Sequence, residues 1–312
     1  MWRYALRRVA GLLPVLLTAI VLSFIAIKLV PGDPIMILLS DQSGDAELEA
    51  RLRADYGLDR PFLVQFADYF AGIATGDFGL SFRYANVPVS EIIGKSLMIT
   101  PVLAIAALTL AVPLGIMLGT FAALRRNRPA DIATVFLVVA FISVPNFALS
   151  ALFVYLFAIK LDLVPVAGWG TVEQAVLPVL VLAIAPMGYI TRLTRTYMLE
   201  VLGQDYIRTA RAKGLRNRLV IYRHALRNTL VPLMTTIGII FGGLLSGTFV
   251  VETIFNIPGL GRLAIDGIFA RDYPVTMAIV MLFTLFYAGI NLIVDILYGL
   301  IDPRIRLGES ER

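Results

Sequence analysis

The sequence predicts an all-α integral membrane protein with about six transmembrane helices and both termini on the cytoplasmic side. Composition comes first: of 312 residues, 58% are hydrophobic and only 16% are charged, where a soluble domain carries about a quarter charged. The apolar residues are gathered into runs close to the ~20 that a helix needs to cross a bilayer. Basic residues alternate between the connections in the way that sets membrane orientation. Cysteine is absent and histidine occurs once, at His224, which excludes a disulfide framework, a thiolate metal site and an imidazole cluster.

The first run, Val9–Val30, follows Arg3, Arg7 and Arg8. It is longer than the roughly 7–15 residues of a signal-peptide core and no small-x-small cleavage site follows it, so it reads as a retained span. Pro31-Gly32-Asp33-Pro34 is a turn that ends it. Asp45–Tyr56 has acidic residues early and arginines later, the polarity that suits a helix dipole. Pro61–Phe70 reads as a second short amphipathic helix, and Gly76-Asp77-Phe78-Gly79 breaks the pattern. This segment has too few apolar residues for a core of its own. Five further spans are expected at Thr100–Leu124, Ile132–Ile159, Val176–Ile190, Leu230–Val251 and Thr276–Ile301. Pro14, Pro113, Pro145, Pro178 and Pro186 fall inside spans, where neighbouring groups can satisfy the freed carbonyls.

Charge orients these spans. Arg125, Arg126 and Arg128 follow the second, and nine basic residues between Arg192 and Arg227 follow the fourth. The tail adds Arg304, Arg306 and Arg312, whereas Lys160 stands alone in the third connection and the fifth holds only Arg262 and Arg271. The net charge of +5 therefore reports topology rather than nucleic-acid binding. It places residues 31–99 outside as an extracytoplasmic cap.

No P-loop, G-x-S-x-G or H-E-x-x-H pattern is present, so the chain by itself does not read as an enzyme. Intramembrane polar residues are the default functional suspects. Asn146 follows Pro145, and Asn291 and Asp295 lie four apart on one helix face. Position favours a packing or anchoring role for Asp295, because a proton relay needs several such groups through the membrane. Small-xxx-small pairs at Gly115/Gly119, Gly238/Gly242 and Gly243/Gly247 permit close helix approach.

The most informative stretch is cytoplasmic. Gly203 interrupts the helix leaving span four, Asp205 is placed to cap a two-turn helix, and Gly214 is its left-handed stop. A helix so short is marginal alone in water and needs a surface to dock on. Anionic lipid would attract its basic residues, but alanine and glycine at its centre favour close contact with protein.

The run Asp205-Tyr206-Ile207-Arg208-Thr209-Ala210-Arg211-Ala212-Lys213-Gly214-Leu215, then His224-Ala225-Leu226-Arg227-Asn228 and Pro232, resembles the coupling loop of ABC-importer permeases of the dipeptide, oligopeptide and nickel group. Pro31–Pro34, Gly76–Ser81, Asn256–Arg262, Arg271–Pro274 and Asp302-Pro303-Arg304 match the same group, so the similarity covers essentially the whole chain. Through Ser81-Phe82-Arg83-Tyr84 it is most similar to the first permease subunit of oligopeptide systems. Where the wider superfamily has E-A-A-x-x-x-G, this chain reads Arg208-Thr209-Ala210 and then Gly214, so no carboxylate is assigned a role at Arg208.

The resemblance implies a type I ABC-importer permease fold in the bacterial inner membrane. Residues 1–30 would form the N-terminal segment and first span, 31–99 the cap, 100–301 a five-helix core with a coupling loop at 191–229, and 302–312 a cytoplasmic tail. Asp205, Tyr206, Arg208, Thr209, Ala210, Arg211, Ala212, Lys213 and Gly214 would contact a separate ATPase subunit. Two ATPases, a second homologous permease and a periplasmic or lipid-anchored substrate-binding protein are the implied partners, besides the lipid membrane. ATP and Mg would belong to the ATPases, with no cofactor bound by this chain and no nucleic-acid partner. The substrate path would run between the two permeases, with Asn146, Ser246 and Asn291 as candidate lining residues. Peptides are the leading cargo; nickel chelates, glutathione and oligosaccharides are alternatives for the same architecture. An ion-coupled carrier working alone, and a membrane scaffold whose basic loop recruits a partner, are the competing classes.

Overall fold

The computed structural model describes residues 2–29, 35, 46–84 and 87–301. The Pro31–Pro34 turn and the 302–312 tail lie outside the described residues. Among the described residues there is no β-strand, only an isolated bridge between Leu80 and Pro88, so nearly all backbone polar groups are satisfied inside helices, as a bilayer requires.

Helix α1 covers Trp2–Leu29 and runs through Pro14. Two short helices follow, α2 (Ala46–Asp55) and α3 (Phe62–Thr75). In α2, Glu47–Arg51 and Glu49–Arg53 ion pairs lie at i,i+4, and α3 ends at Gly76 in the left-handed region, φ 78°. Next come α4 (Val89–Ser96), α5 (Ile99–Leu124), α6 (Pro129–Ile142), α7 (Asn146–Phe153) and α8 (Val172–Leu202). The series closes with α9 (Asp205–Ala212), α10 (Asn217–Gly247), α11 (Phe249–Ile254), α12 (Leu260–Phe269) and α13 (Tyr273–Ile301). Four stretches are long and apolar enough to cross a membrane, Val89–Leu124, Val172–Leu202, Asn217–Gly247 and Tyr273–Val294, and a bent pair raises the number to five. Within α1, Ala10–Ala26 is apolar but shorter.

The bent pair is where the structure departs most from the expected straight span at Ile132–Ile159. Pro129–Ile142 and Asn146–Lys160 meet at 97°. Pro145 has no N–H to donate and disfavours helical geometry at Val144, so the helix stops at Ile142 and restarts at Asn146. By contrast Pro178 and Pro186 sit inside an unbroken α8, which is 31 residues long and extends beyond the expected Val176–Ile190 at both ends. Its true start is a capping box: the Thr171 hydroxyl accepts from the Gln174 N–H, and the Gln174 side chain accepts from the Thr171 N–H at 3.2 Å.

The chain divides into two compact units. In the first, Met1–Pro101 with Pro258–Ala288, α3 packs on α1 through Phe62 and Phe66, whose rings stand edge-on to Phe24 at 5.2 and 5.3 Å. A second core joins Val89 and Ile93 of α4 to Leu260 of α12 and to Val275, Ala278 and Ile279 of α13. The expected cap thus has a core, but it borrows most of it from residues almost 200 positions later.

One carboxylate ties that arrangement together. Asp272, 2% exposed, accepts from the Ser81 hydroxyl, from the Phe82 N–H at 3.0 Å and from the Arg83 N–H at 3.3 Å. It also accepts from Val275 N–H at 3.5 Å at the start of α13. The Thr100 hydroxyl accepts from the Leu260 N–H at 2.8 Å.

In the second unit, Val102–Ile257 with Gly289–Arg312, α8 is the central post on which α6, α7 and α10 pack. Close approach explains two of its glycines. A Cβ at Gly115 would stand 2.8 Å from Ile190 and one at Gly119 2.5 Å from the Thr191 carbonyl, so α5 lies backbone-to-backbone on α8. A Cβ at Gly238 would run into the Val294 side chain, whereas one at Gly243 or Gly247 would meet no other part of the structure within 4 Å.

Candidate functional site

The α8–α10 connection folds as a docked helix with one face left open. Gly203 ends α8 and Gln204 is the N-cap of α9, extended at φ −73°, ψ 151°. This corrects the expected cap by one position: Asp205 is the first helical residue and its side chain makes no capping bond. There its charge still complements the helix dipole, as Arg211 does in the last turn. The stop is as expected, with Gly214 at φ 76° and its N–H on the Arg211 carbonyl at 2.9 Å.

Ile207 and Ala210, three apart, are buried and the rest of the helix is exposed. They enter a cluster with Ala123 at the end of α5, Met198 of α8, and Val220, Ile221 and Ala225 of α10. Burying an isoleucine in this way is worth about 1.5–3 kcal/mol, enough to hold a two-turn helix that has little stability alone. Tyr206 adds a polar tie, its hydroxyl accepting from the Asn228 side chain at 3.1 Å. Asp205, Arg208, Thr209, Arg211, Ala212, Lys213 and Gly214 remain exposed. The Arg208–Asp205 contact at 3.4 Å is solvent-exposed and contributes little.

Beside this cluster lies an ion pair that sequence reasoning missed. Arg195 of α8 makes two hydrogen bonds to Asp131 of α6, Nε to Oδ1 at 2.6 Å and Nη2 to Oδ2 at 2.7 Å. Asp131 also accepts from the Asn127 N–H at 2.9 Å and is 2% exposed. Ala123, Asn127 and Asp131 thus fasten the α5–α6 turn to α8 within the unit that carries α9. The one available signal was an aspartate in the first turn after Pro129, and it does not name its partner. Glu252 was missed as well; it is fully buried in α11 and accepts from the Thr248 hydroxyl at 2.8 Å.

The three candidate path residues are not brought together by hydrogen bonds. Asn146 is half-buried at the first position after the 97° bend. Ser246 is exposed and donates to its own helix at the Gly242 carbonyl. Asn291 is half-buried on α13, and the side chain of Asp295 lies outside the described residues. Among the described residues no group of three or more metal-ligating side chains occurs.

With four to five apolar helices long enough to cross a bilayer, and the short α9 held by its buried face between α8 and α10, the chain is a multi-pass membrane protein. Residues 115–307 match the binding-protein-dependent transport system inner membrane component, and residues 1–109 match the N-terminal component of the same systems. The chain belongs to this family of inner membrane permeases. It is 42% identical over 306 residues to the glutathione transport system permease protein of Salmonella typhimurium, covering 98% of this chain and 99% of that one. It is 40% identical over 308 residues to the dipeptide transport system permease protein of Bacillus subtilis, with 98% and 99% covered. A putative peptide transport system permease of Brucella abortus is 40% identical over 309 residues, with 96% and 98% covered. Among solved structures, the inward-facing MetNI methionine ABC transporter aligns with a TM-score of 0.54 at 18% identity, over 69% of this chain and 96% of that one. That likeness shows the fold.

Proposed function

We propose that this chain is one half of the membrane pore of an ATP-driven importer of short peptides. The observation that carries the reading is α9, held to its own chain by Ile207 and Ala210 while Asp205, Arg208, Thr209, Arg211, Ala212 and Lys213 face outward. In this reading the exposed face, with Tyr206 and Gly214 fixing its two ends, sits against a separate ATPase subunit, and closure of two ATPases moves it. Ala210 acts from beneath, by setting how deeply the helix beds on Met198. ATP and Mg stay with the ATPases, and this chain performs no catalysis.

Charge alternation supports six crossings with both ends cytoplasmic: α1, α5, the bent α6–α7 pair, α8, α10 and α13. Residues 31–99 then form an extracytoplasmic cap, 100–301 the core with its coupling loop at 191–229, and 302–312 a cytoplasmic tail. A second homologous permease completes the path, to which Asn146, Ser246 and Asn291 contribute, and a periplasmic or lipid-anchored binding protein delivers cargo at the cap. Peptide cargo is supported by the relatives, named for glutathione and dipeptide transport, both short peptides.

Reconstitution with the ATPases and binding protein encoded alongside tests this. Peptide should stimulate ATP hydrolysis and uptake, and Ala212→Trp on the exposed face should abolish both while insertion and melting stay unchanged. Uptake that needs no ATPase and collapses with an uncoupler at constant ATP would instead establish an ion-coupled carrier.

A further inference from the structure

The first unit contains a cavity of about 630 Å³, within the roughly 300–1,000 Å³ of small-ligand sites. Its walls are aromatic. On one side Tyr69 of α3 stacks on Phe24 of α1 at 5.9 Å. On the other Tyr56, Phe82 and Tyr273 form a chain of edge-on rings, with centroids 4.9 and 6.0 Å apart. Tyr56 is spoken for, donating to the Ser81 carbonyl at 3.1 Å.

The phenols of Tyr69 and Tyr273 are different. Both oxygens are buried and neither has a hydrogen-bond partner, although both residues line the cavity. Oxygens buried in this way lie behind the walls, so Tyr69 and Tyr273 present their rings, and not their hydroxyls, to the cavity. Burial pushes the Tyr69 phenol up from its ordinary value, so it stays neutral.

Charge around the cavity narrows the ligand. Of the lining cations, Arg60 is paired with Asp68 at 2.7 Å and Arg53 with Glu49 at 2.9 Å. Asp77 accepts from the Gly79 N–H at 3.0 Å. Asp55, an exposed residue, lines the cavity and, among the described residues, makes no ion pair. A carboxylate beside several π faces suits an ammonium group, which both attract. The apolar remainder of the walls suits an uncharged side chain next to it.

We infer that this cavity in the cap binds the free amino end of a short peptide, with the ammonium toward Asp55 and the first apolar side chain among the aromatic rings. This rests on the peptide-importer reading and deepens it: the permease itself, and not only a binding protein, recognises cargo before it reaches the membrane path.

The test uses the full-length chain in lipid nanodiscs with no binding protein, titrated calorimetrically with the tripeptide Phe-Ala-Ala and its N-acetylated form. Saturable binding of the free peptide is expected. Acetylation or Asp55→Asn should weaken it about tenfold or more, as loss of one charge-assisted hydrogen bond does. Asp55→Glu should restore most of the affinity lost in Asp55→Asn. Absence of saturable binding to the wild-type chain overturns the proposal, as does equal binding of the acetylated peptide. Peptide-stimulated ATP hydrolysis by the complete reconstituted system is read separately. If it persists while nanodisc binding is absent, the cavity assignment alone fails; if it is absent, the importer reading fails.

Discussion

Asp131 and Arg195 face each other across α6 and α8 in a two-pronged ion pair, with bonds of 2.6 and 2.7 Å and the carboxylate almost wholly buried. Removing one partner of such a pair leaves an uncompensated charge, at a cost of about 3–5 kcal/mol. Arg195→Ala should therefore lower the melting temperature of the purified protein by several degrees, and Asp131→Asn by less, because an amide keeps one acceptor. If Arg195→Ala melts with the wild type, the pair does not hold the α5–α6 turn.

The glycines predict different outcomes at two sites of the same type. Gly119→Leu forces side-chain atoms into the Thr191 carbonyl, which a bare Cβ would already meet at 2.5 Å, so overpacking should cost about 1–3 kcal/mol and reduce membrane yield. Gly243→Ala has open space and should be neutral. Equal yields for both would show that α5 does not need its close approach to α8.

At the end of α9, Gly214 has open space but a left-handed backbone, φ 76°. The obstacle to a side chain there is conformational and not steric crowding, about 1–2 kcal/mol for most residues and less for asparagine. Transport rates of Gly214→Asn, Gly214→Ala and Gly214→Val should fall in that order. A flat series would remove the helix stop from the coupling role.

Asp272→Ala strands the donors of Ser81, Phe82 and Arg83, each worth about 1–3 kcal/mol when buried unpaired. The loop at Ser81–Tyr84 should then become protease-sensitive in the purified protein, whereas Asp272→Asn should protect it partly. An unchanged digestion pattern in the alanine variant would show that the loop is held elsewhere.

What could be read in the sequence divides along the range of the interaction. Apolar length and the Gly214 stop are local, and the helices at α2, α3 and α9 appear where their charges and turn residues put them. The start of α8 was also local, written as Thr171 and Gln174, but it is hidden by a search for apolar runs that begins five residues later. Pro145 carried the signal for its bend as well; a proline that breaks a helix and the Pro178 that does not look alike until their packing is known. The pairs Asp131–Arg195 and Ser81–Asp272 lie 64 and 191 positions apart, and no pattern within one chain joins an aspartate to a distant arginine or serine. The candidate site shows the same division: the exposed rim of α9 follows from composition, while the bed of Met198 and Val220 beneath it does not.

The 191-residue reach between Ser81 and Asp272 also sets an order of birth. At about 5–20 residues per second of synthesis, Asp272 leaves the ribosome some ~10–40 s after Ser81. Throughout that interval the Phe82 and Arg83 amides have no Asp272 carboxylate to meet. A chain cut short before Asp272 would leave the donors of Ser81, Phe82 and Arg83 without their acceptor, so this contact closes only after most of the chain has been made.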